Sequence, residues 1–245
     1  VWENVRDWEH LPWLHASSFA GIELVDSGPW GWRARVQLPP RETGPEILLE
    51  LRIDRQKLRY IARTEEGPGK GTEIWTQLDP KSQHQTAIEV QFRVPGVAPG
   101  QADSVGAAYV RLYTRLWDED EQMMTRRETM LFRRRKGAPS KASIELGSVE
   151  TVRAQLPLSV ELDGQPYRVV ELEGELVAHS TICPHLLGPL DHSRLEGGCI
   201  RCPWHGHRFD VRTGRSTDGA GLKLLPAPQI RIDSRSIVHL ANGTI

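Results

Sequence analysis

Cys183-Pro184-His185-Leu186-Leu187-Gly188-Pro189-Leu190 and, further on, Cys202-Pro203-Trp204-His205-Gly206-His207-Arg208-Phe209-Asp210 decide the reading of this chain. Each segment puts one thiol and one imidazole on a single loop, with 16 residues between His185 and Cys202. A two-iron cluster in which two thiolates hold one iron and two imidazoles hold the other needs each of two loops to deliver one ligand of each kind. Two Cys and two His can also close a tetrahedral zinc site, so the donor set taken alone leaves two metals open. The chain has three cysteines, an odd number and too few for a disulfide framework. They read as metal ligands. Around the two segments, 157–162, 167–172, 175–179, 199–203 and 230–232 are short apolar runs between Gly and Pro turns. The second half of the chain is therefore expected to be mostly β.

The surroundings separate the two metals. Cys-Pro-His followed by Leu-Leu-Gly-Pro-Leu, then Cys-Pro-Trp-His-Gly-His-Arg-Phe-Asp, resembles the Rieske ferredoxin and oxygenase family almost residue for residue, over roughly residues 143–245. The resemblance implies a [2Fe-2S] cluster ligated by Cys183, His185, Cys202 and His205. Respiratory-chain Rieske proteins resemble this pattern but add a disulfide-forming Cys in each loop, where this chain has Gly188 and Trp204. The resemblance is therefore to the low-potential branch. Cys199 could compete as a ligand from three residues before Cys202, but reads as a buried strand residue, the usual place of an unpaired Cys. His179, His192 and His207 read as hydrogen-bonding or solvated loop histidines, with His207 a neighbour of the cluster.

The two halves of the chain are unlike. Seven of the eight Trp and all three Met precede residue 136, whereas all three Cys and six of the nine His follow it. Residues 137–142, rich in Gly, Pro and Ser, read as a linker between a domain at 1–136 and a domain at 143–245. With 245 residues, 38% hydrophobic and 26% charged, this is the composition of a globular chain long enough for two domains. A net charge of −1 gives no reason to expect nucleic acid or an anionic membrane surface as partner. No run of 18 apolar residues and no secretory signal pattern is present. A cytoplasmic location is the expectation.

In the first half, residues 2–11 suit a helix that Pro12 is expected to end. Strand-like runs follow at 22–25, 32–38, 47–53, 58–62, 74–78 and 87–94, the pattern of an antiparallel sheet. From about Asp103 to Phe132 there is no Pro, and no Gly after Gly106, while Tyr109, Tyr113, Leu116, Met123 and Met130 recur at helical steps. A long closing helix is predicted, making the chain α+β. Arg126, Arg127 and the run 133–135 could dock an acidic donor, but read first as a solvated helix end complementing the dipole.

Asn4, Asp7 and His10 are spaced by three and share one helix face, and a break at Pro12 can bring His15 round to His10. Two His and one carboxylate on one face of an octahedron form the facial triad of non-haem Fe(II) oxygenases. On the closing helix, at about 100° per residue, Asp120 lies within about 40° of Leu116 on the apolar stripe, whereas Asp118 falls near the solvated side. Asp120 is the inward carboxylate.

Asn-x-x-Asp-x-x-His-x-x-x-x-His followed by a helical Glu-Asp-x-x-Met-Met resembles the catalytic domain of Rieske non-haem iron oxygenases. The resemblance implies a helix-grip fold for residues 1–136, an antiparallel sheet around a long C-terminal helix, with the mostly β Rieske domain after it. It implies mononuclear Fe(II) on His10, His15 and Asp120, Asn4 as a further active-site residue, and Asp7 hydrogen-bonded to an iron-ligating His on one side and to cluster ligand His205 on the other. The family's usual order puts the Rieske domain first, and here it comes last. The interval of 104 residues between His15 and Asp120 is also short. A head-to-tail homotrimer, in which cluster and iron meet across subunits, would tolerate the reversed order. The expected activity is O2-dependent oxidation of a small apolar or aromatic substrate, monooxygenation or demethylation before dihydroxylation, with electrons from an NAD(P)H-dependent reductase or a ferredoxin. The alternative is an electron-transfer or redox-sensing protein fused to a non-catalytic ligand-binding domain.

Overall fold

The computed structural model describes residues 1–83, 85–136 and 143–242, with the side chains of 133–136 outside that description. The expected linker at 137–142 and the side chains of the basic run 133–135 therefore lie outside the described residues. The chain divides into two compact units, Val1–Glu121 and Gln122–Ile245.

The first unit opens with helix α1 (Trp2–Arg6), a 3-10 turn (Trp8–His10) and helix α2 (Leu11–Leu14). The expected helix over 2–11 is thus broken, and the break is at Asp7 (φ −86°, ψ 79°) rather than at Pro12. Pro12 stands in the first turn of α2, where its missing N–H has no partner to lose. The six expected strands are all present, as β1 (Gly21–Gly28), β2 (Gly31–Gln37), β3 (Glu46–Asp54), β4 (Arg59–Glu66), β5 (Glu73–Ser82) and β6 (Gln85–Arg93). They form one antiparallel meander in sequence order.

The alternation on β2 shows why the sheet has one dry face. Trp32, Ala34 and Val36 are buried, opposite Leu51, Leu49 and Ile47 of β3. The intervening Arg33 and Arg35 point outward and pair with Asp26 (3.0 Å) and Glu46 (3.2 Å). Trp2, Val5, Trp8, Leu11 and Trp117 pack onto that face, and Trp32 Nε1 donates to the Val5 carbonyl at 2.9 Å, tying α1 to the sheet. Helix α3 (Ala102–Lys136) is the predicted long helix; in this unit its Tyr109 and Tyr113 rings lie 5.3 and 5.1 Å from that of Phe92 on β6.

Sequence reasoning assigns all of α3 to the first half, but from Gln122 onward it belongs to the second unit. There Met130 packs with Ile182 and Leu187, and Arg126 pairs with Asp191 at 2.8 Å. Arg126 is therefore an ion-paired residue rather than part of a purely solvated helix end. The rest of this unit is mostly β. Strands β8 (Leu158–Leu162), β9 (Gln165–Leu172) and β10 (Glu175–Ser180) form one antiparallel sheet, joined by two-residue turns at Asp163-Gly164 and Glu173-Gly174 with φ positive at all four residues. A second sheet takes β7 (Ser143–Ser148), β14 (Ile237–Ala241) and β13 (Gln229–Ile232), and β11 (Cys199–Arg201) pairs with β12 (Arg208–Asp210). Helix α4 (Val149–Ala154) is capped by Ser148, whose hydroxyl accepts the Thr151 N–H at 3.1 Å. Val152, Leu162, Tyr167, Val169, Ala178, Val238 and Leu240 make the core between these elements. Among the described residues no helix is long and apolar enough to cross a membrane.

Gly31 opens β2 at φ +132°, and a Cβ there would lie 1.8 Å from the Leu51 carbonyl oxygen. Gly31→Ala should cost roughly 3 kcal/mol of stability in the first unit. Seven of the eight tryptophans lie in that unit, so urea unfolding followed by tryptophan fluorescence should show the lowered midpoint.

Candidate metal centres

The two Cys/His loops close in the same way. Cys183 N–H donates to the Gly188 carbonyl (2.8 Å) and Cys202 N–H to that of His207 (2.8 Å), each five residues on. Leu187 N–H returns to the Cys183 carbonyl (3.1 Å) and Gly206 N–H to that of Cys202 (3.0 Å), each from four residues on. Leu187 and Gly206, the equivalent positions, both have positive φ, 63° and 71°. The first loop follows β10 and the second is the turn of the β11–β12 hairpin.

This closure brings four donors together. Cys183 and Cys202 are buried at 1% exposure each, and their thiols hydrogen-bond one another. That bond pushes the Cys183 thiol up and pulls Cys202 down, the latter helped by the backbone N–H groups of Trp204 and His205. The His185 and His205 rings stand 4.6 Å apart at 89°. Two sulfurs side by side, backbone N–H groups aimed at them and two adjacent imidazoles are the donor set of a cluster with two Cys on one iron and two His on the other, and the residues fit that group. Gly188 and Trp204, which stand where a second Cys pair would, pack together: a Cβ at 188 would come within 2.7 Å of Cys202 Sγ and 3.1 Å of the Trp204 ring. Among the described residues the three cysteines form no disulfide. Cys199 is buried on β11, paired in register with Asp210, as expected of a strand residue. His179 is buried with Nδ1 3.0 Å from the Ser180 carbonyl, and His192 is exposed. His207 is the neighbour anticipated: its ring is 4.8 Å from that of His185, and its Nδ1 is 2.9 Å from Asp218 Oδ2.

A second cluster of ligand-type atoms lies wholly in the first unit. His10 and His15 are buried at 3% and 1% exposure, with ring centroids 5.1 Å apart. His10 Nε2 and His15 Nε2 both face Asp120 Oδ1, at 3.6 and 3.1 Å. One ligand atom from each of His10, His15 and Asp120 lies within 4.8 Å of the other two. Asp118, as expected, is exposed. Behind each imidazole stands a further carboxylate: Asp7 Oδ2 is 3.7 Å from His10 Nδ1, and Glu119 Oε2 is 2.6 Å from His15 Nδ1. Glu119 is the residue that sequence reasoning passed over. It lies off the apolar stripe, and its signal is adjacency: one residue before Asp120, it reaches the other nitrogen of the same ring. Burial works to lower the His15 pKa, yet Asp120 and Glu119 together hold it above the usual histidine range. Asn4, Asp7, His10, His15 and Asp120 all line one cavity of about 120 Å³, walled otherwise mainly by apolar and aromatic side chains. The residues suit a divalent cation: two imidazoles and a carboxylate converge, with a further carboxylate facing each outer ring nitrogen and hydrogen-bonded to that of His15.

The Rieske [2Fe-2S] domain family matches residues 142–227, wholly within the second unit. The ferredoxin component of the naphthalene 1,2-dioxygenase system of Pseudomonas aeruginosa is 31% identical over 81 residues, which are 33% of this chain and 78% of that protein. The chain belongs to the Rieske [2Fe-2S] family. Apoptosis-inducing factor 3 of Mus musculus is 37% identical over 83 residues, 34% of this chain, so the chain spans only 14% of that protein's length. The ferredoxin of carbazole 1,9a-dioxygenase from Nocardioides aromaticivorans IC177 aligns in structure with 25% identity and a TM-score of 0.37, covering 42% of this chain and 100% of that one.

The chain thus carries a Rieske domain whose relatives include the ferredoxin components of dioxygenase systems, and one-electron transfer is the chemistry of that domain. Gly188→Ala should cut the cluster content of the purified Rieske protein severalfold, because the new methyl occupies the approach to Cys202 Sγ. Cys183→Ser should abolish the visible and EPR signals of the cluster, whereas Cys199→Ser should leave both unchanged. A mixed nitrogen/sulfur-ligated signal surviving in Cys183→Ser would show that Cys199 had replaced it.

Proposed function

We propose that this protein is a Rieske non-haem iron oxygenase with its domains in reversed order, a helix-grip catalytic domain first and the Rieske domain last. The observation that carries the reading is the convergence of His10 Nε2, His15 Nε2 and one Asp120 carboxylate oxygen on a common point at the wall of an apolar cavity. In this reading Cys183, His185, Cys202 and His205 hold the cluster, and His10, His15 and Asp120 hold a mononuclear Fe(II). When bound, the cluster supplies single electrons and the mononuclear iron activates O2 for oxidation of a small organic substrate.

The chain's own residues have defined tasks. Glu119 accepts from the Nδ1–H group of His15, which fixes the tautomer that leaves its Nε2 as a donor to the metal, while Asp7 faces His10 Nδ1 at 3.7 Å as a charge partner. Asp120 supplies the anionic ligand from a regular helix, so its position is set by α3 rather than by a loop. Trp32, Leu51 and Leu116 wall the cavity and keep bulk water from the reacting centre. Asp7 would also bridge to His205 of the partner subunit in a homotrimer, and a reductase using NAD(P)H, directly or through a ferredoxin, would supply the electrons. A small organic substrate and O2 complete the set of partners, at a cytoplasmic location.

A second reading, a fused electron carrier, draws on the relatives that are themselves ferredoxin components. Iron content separates the two. The oxygenase should hold about three iron atoms per chain, two in the cluster and one on the facial triad. Asp120→Ala should lose one of them and leave the cluster's EPR signal unchanged. About two irons in the unmodified chain would overturn the oxygenase reading and leave the carrier. Glu119→Gln should weaken Co(II) binding at the mononuclear site roughly 10- to 100-fold, measured by titration of the d–d bands.

A further inference from the structure

The cavity beside His10, His15 and Asp120 restricts what can enter in three independent ways. Its volume is about 120 Å³. An engineered apolar cavity of about 150 Å³ takes up benzene, so the space here suits a single six-membered ring and leaves no room within it for a second fused ring.

The second restriction is charge. No lysine or arginine is among the residues that line the cavity, whereas Asp7 and Asp120 are. Even with a divalent ion in place, its two positive charges meet three carboxylates, those of Asp7, Glu119 and Asp120. A carboxylate on the substrate would enter a site where the protein's carboxylates already outnumber the charges of a divalent ion, which is costlier than leaving it in water. Tyr60 and Tyr113, also in the wall, do not add charge: burial pushes the Tyr60 phenol up to about 12 and the Tyr113 phenol up as well, so both stay neutral.

The third restriction is a buried polar atom. Asn4 lines the cavity at 8% exposure, and its side-chain oxygen is buried without a hydrogen-bond partner. A buried acceptor left in that state is costly, and a ligand that donates to it recovers the loss.

Resting on the oxygenase reading above, we infer that the substrate is a neutral molecule of single-ring size that carries one O–H or N–H donor, which Asn4 accepts. The class is that of simple phenols and anilines. Acidic aromatics and fused-ring hydrocarbons fall outside it.

Equilibrium dialysis of the cluster-containing full chain, loaded with Co(II) and compared with Asp120→Ala as a blank, tests this with four probes: phenol, toluene, benzoate and naphthalene. Phenol should bind about tenfold tighter than toluene, the worth of one buried hydrogen bond. It should bind more than a hundredfold tighter than benzoate, and naphthalene should not bind measurably. Asn4→Leu should erase the preference for phenol over toluene, and Ala62→Leu, which fills the cavity wall, should abolish phenol binding while Co(II) is still taken up. Benzoate or naphthalene binding as well as phenol, or toluene matching phenol in the unmodified chain, overturns the inference. Co(II) uptake with no probe bound also overturns it and leaves the oxygenase reading standing. Failure of the unmodified chain to take up more Co(II) than Asp120→Ala overturns the oxygenase reading itself.

Discussion

The backbone hydrogen bonds that close the Cys183 and Cys202 loops are the constraint on which the Rieske unit depends. Two buried thiols at 1% exposure would be poor metal ligands in an apolar setting, because burial disfavours the thiolate. The loop closure answers this by turning backbone N–H groups of His185, Trp204 and His205 toward the sulfurs. With Trp204 in place, Gly188 packs directly against the Trp204 ring and Cys202 Sγ, the two positions at which a disulfide-stapled variant would carry its extra Cys pair being 188 and 204. Strands β8, β9 and β10 are joined by two-residue turns, and the end of α3 buttresses the first loop through Met130 against Ile182 and Leu187. Rigidity at the loops thus comes from hydrogen bonds and packing instead of a covalent cross-link.

The first unit solves a different problem. Two imidazoles and a carboxylate are held at the edge of an apolar core, where unpaired charge is expensive. Each His is gripped from both sides, His10 by Asp7 and Asp120, His15 by Glu119 and Asp120. Such an arrangement is negative overall and stabilises a positive charge at its centre. A hydrophobic replacement of similar volume would be the cheaper way to fill the space, so the cluster makes physical sense as a cation site.

Much of this was legible in the sequence because the signals are local. Cys183/His185 and Cys202/His205 each sit within four residues, and the glycines and prolines around them specify tight loops. The six strands of the first sheet were legible from alternation, and α3 from its long stretch free of Pro. What escaped had weaker or non-local causes. Strand β12 has only three residues, and β7 and β14 pair with one another across most of the second unit. Pro12 looked like a terminator because proline is read most simply as a breaker, whereas the actual break at Asp7 carries no proline. The reach of α3 into the second unit could not be seen from its helical pattern, which runs unbroken across Glu121 and Gln122. Glu119 was missed for a related reason: a stripe-based reading keeps Asp120 and discards its neighbour, though a histidine ring has a nitrogen for each.

The two centres therefore differ in how they answer to substitution and to ligands. The cluster donors are set by loop backbone, and Leu187, in a left-handed conformation at φ 63°, shows that the closure is strong enough to hold a bulky residue where glycine would be easier. The donors in the first unit come from α1, the turn after it, the end of α2 and α3, the same elements that line the cavity. Asn4, Asp7 and Asp120 all line this space, and Asp120 faces both His10 and His15, so a molecule that touches Asp120 there also bears on the geometry of the two imidazoles. Linkage makes that coupling reciprocal: a ring that binds more tightly when a cation is present must in turn tighten the cation.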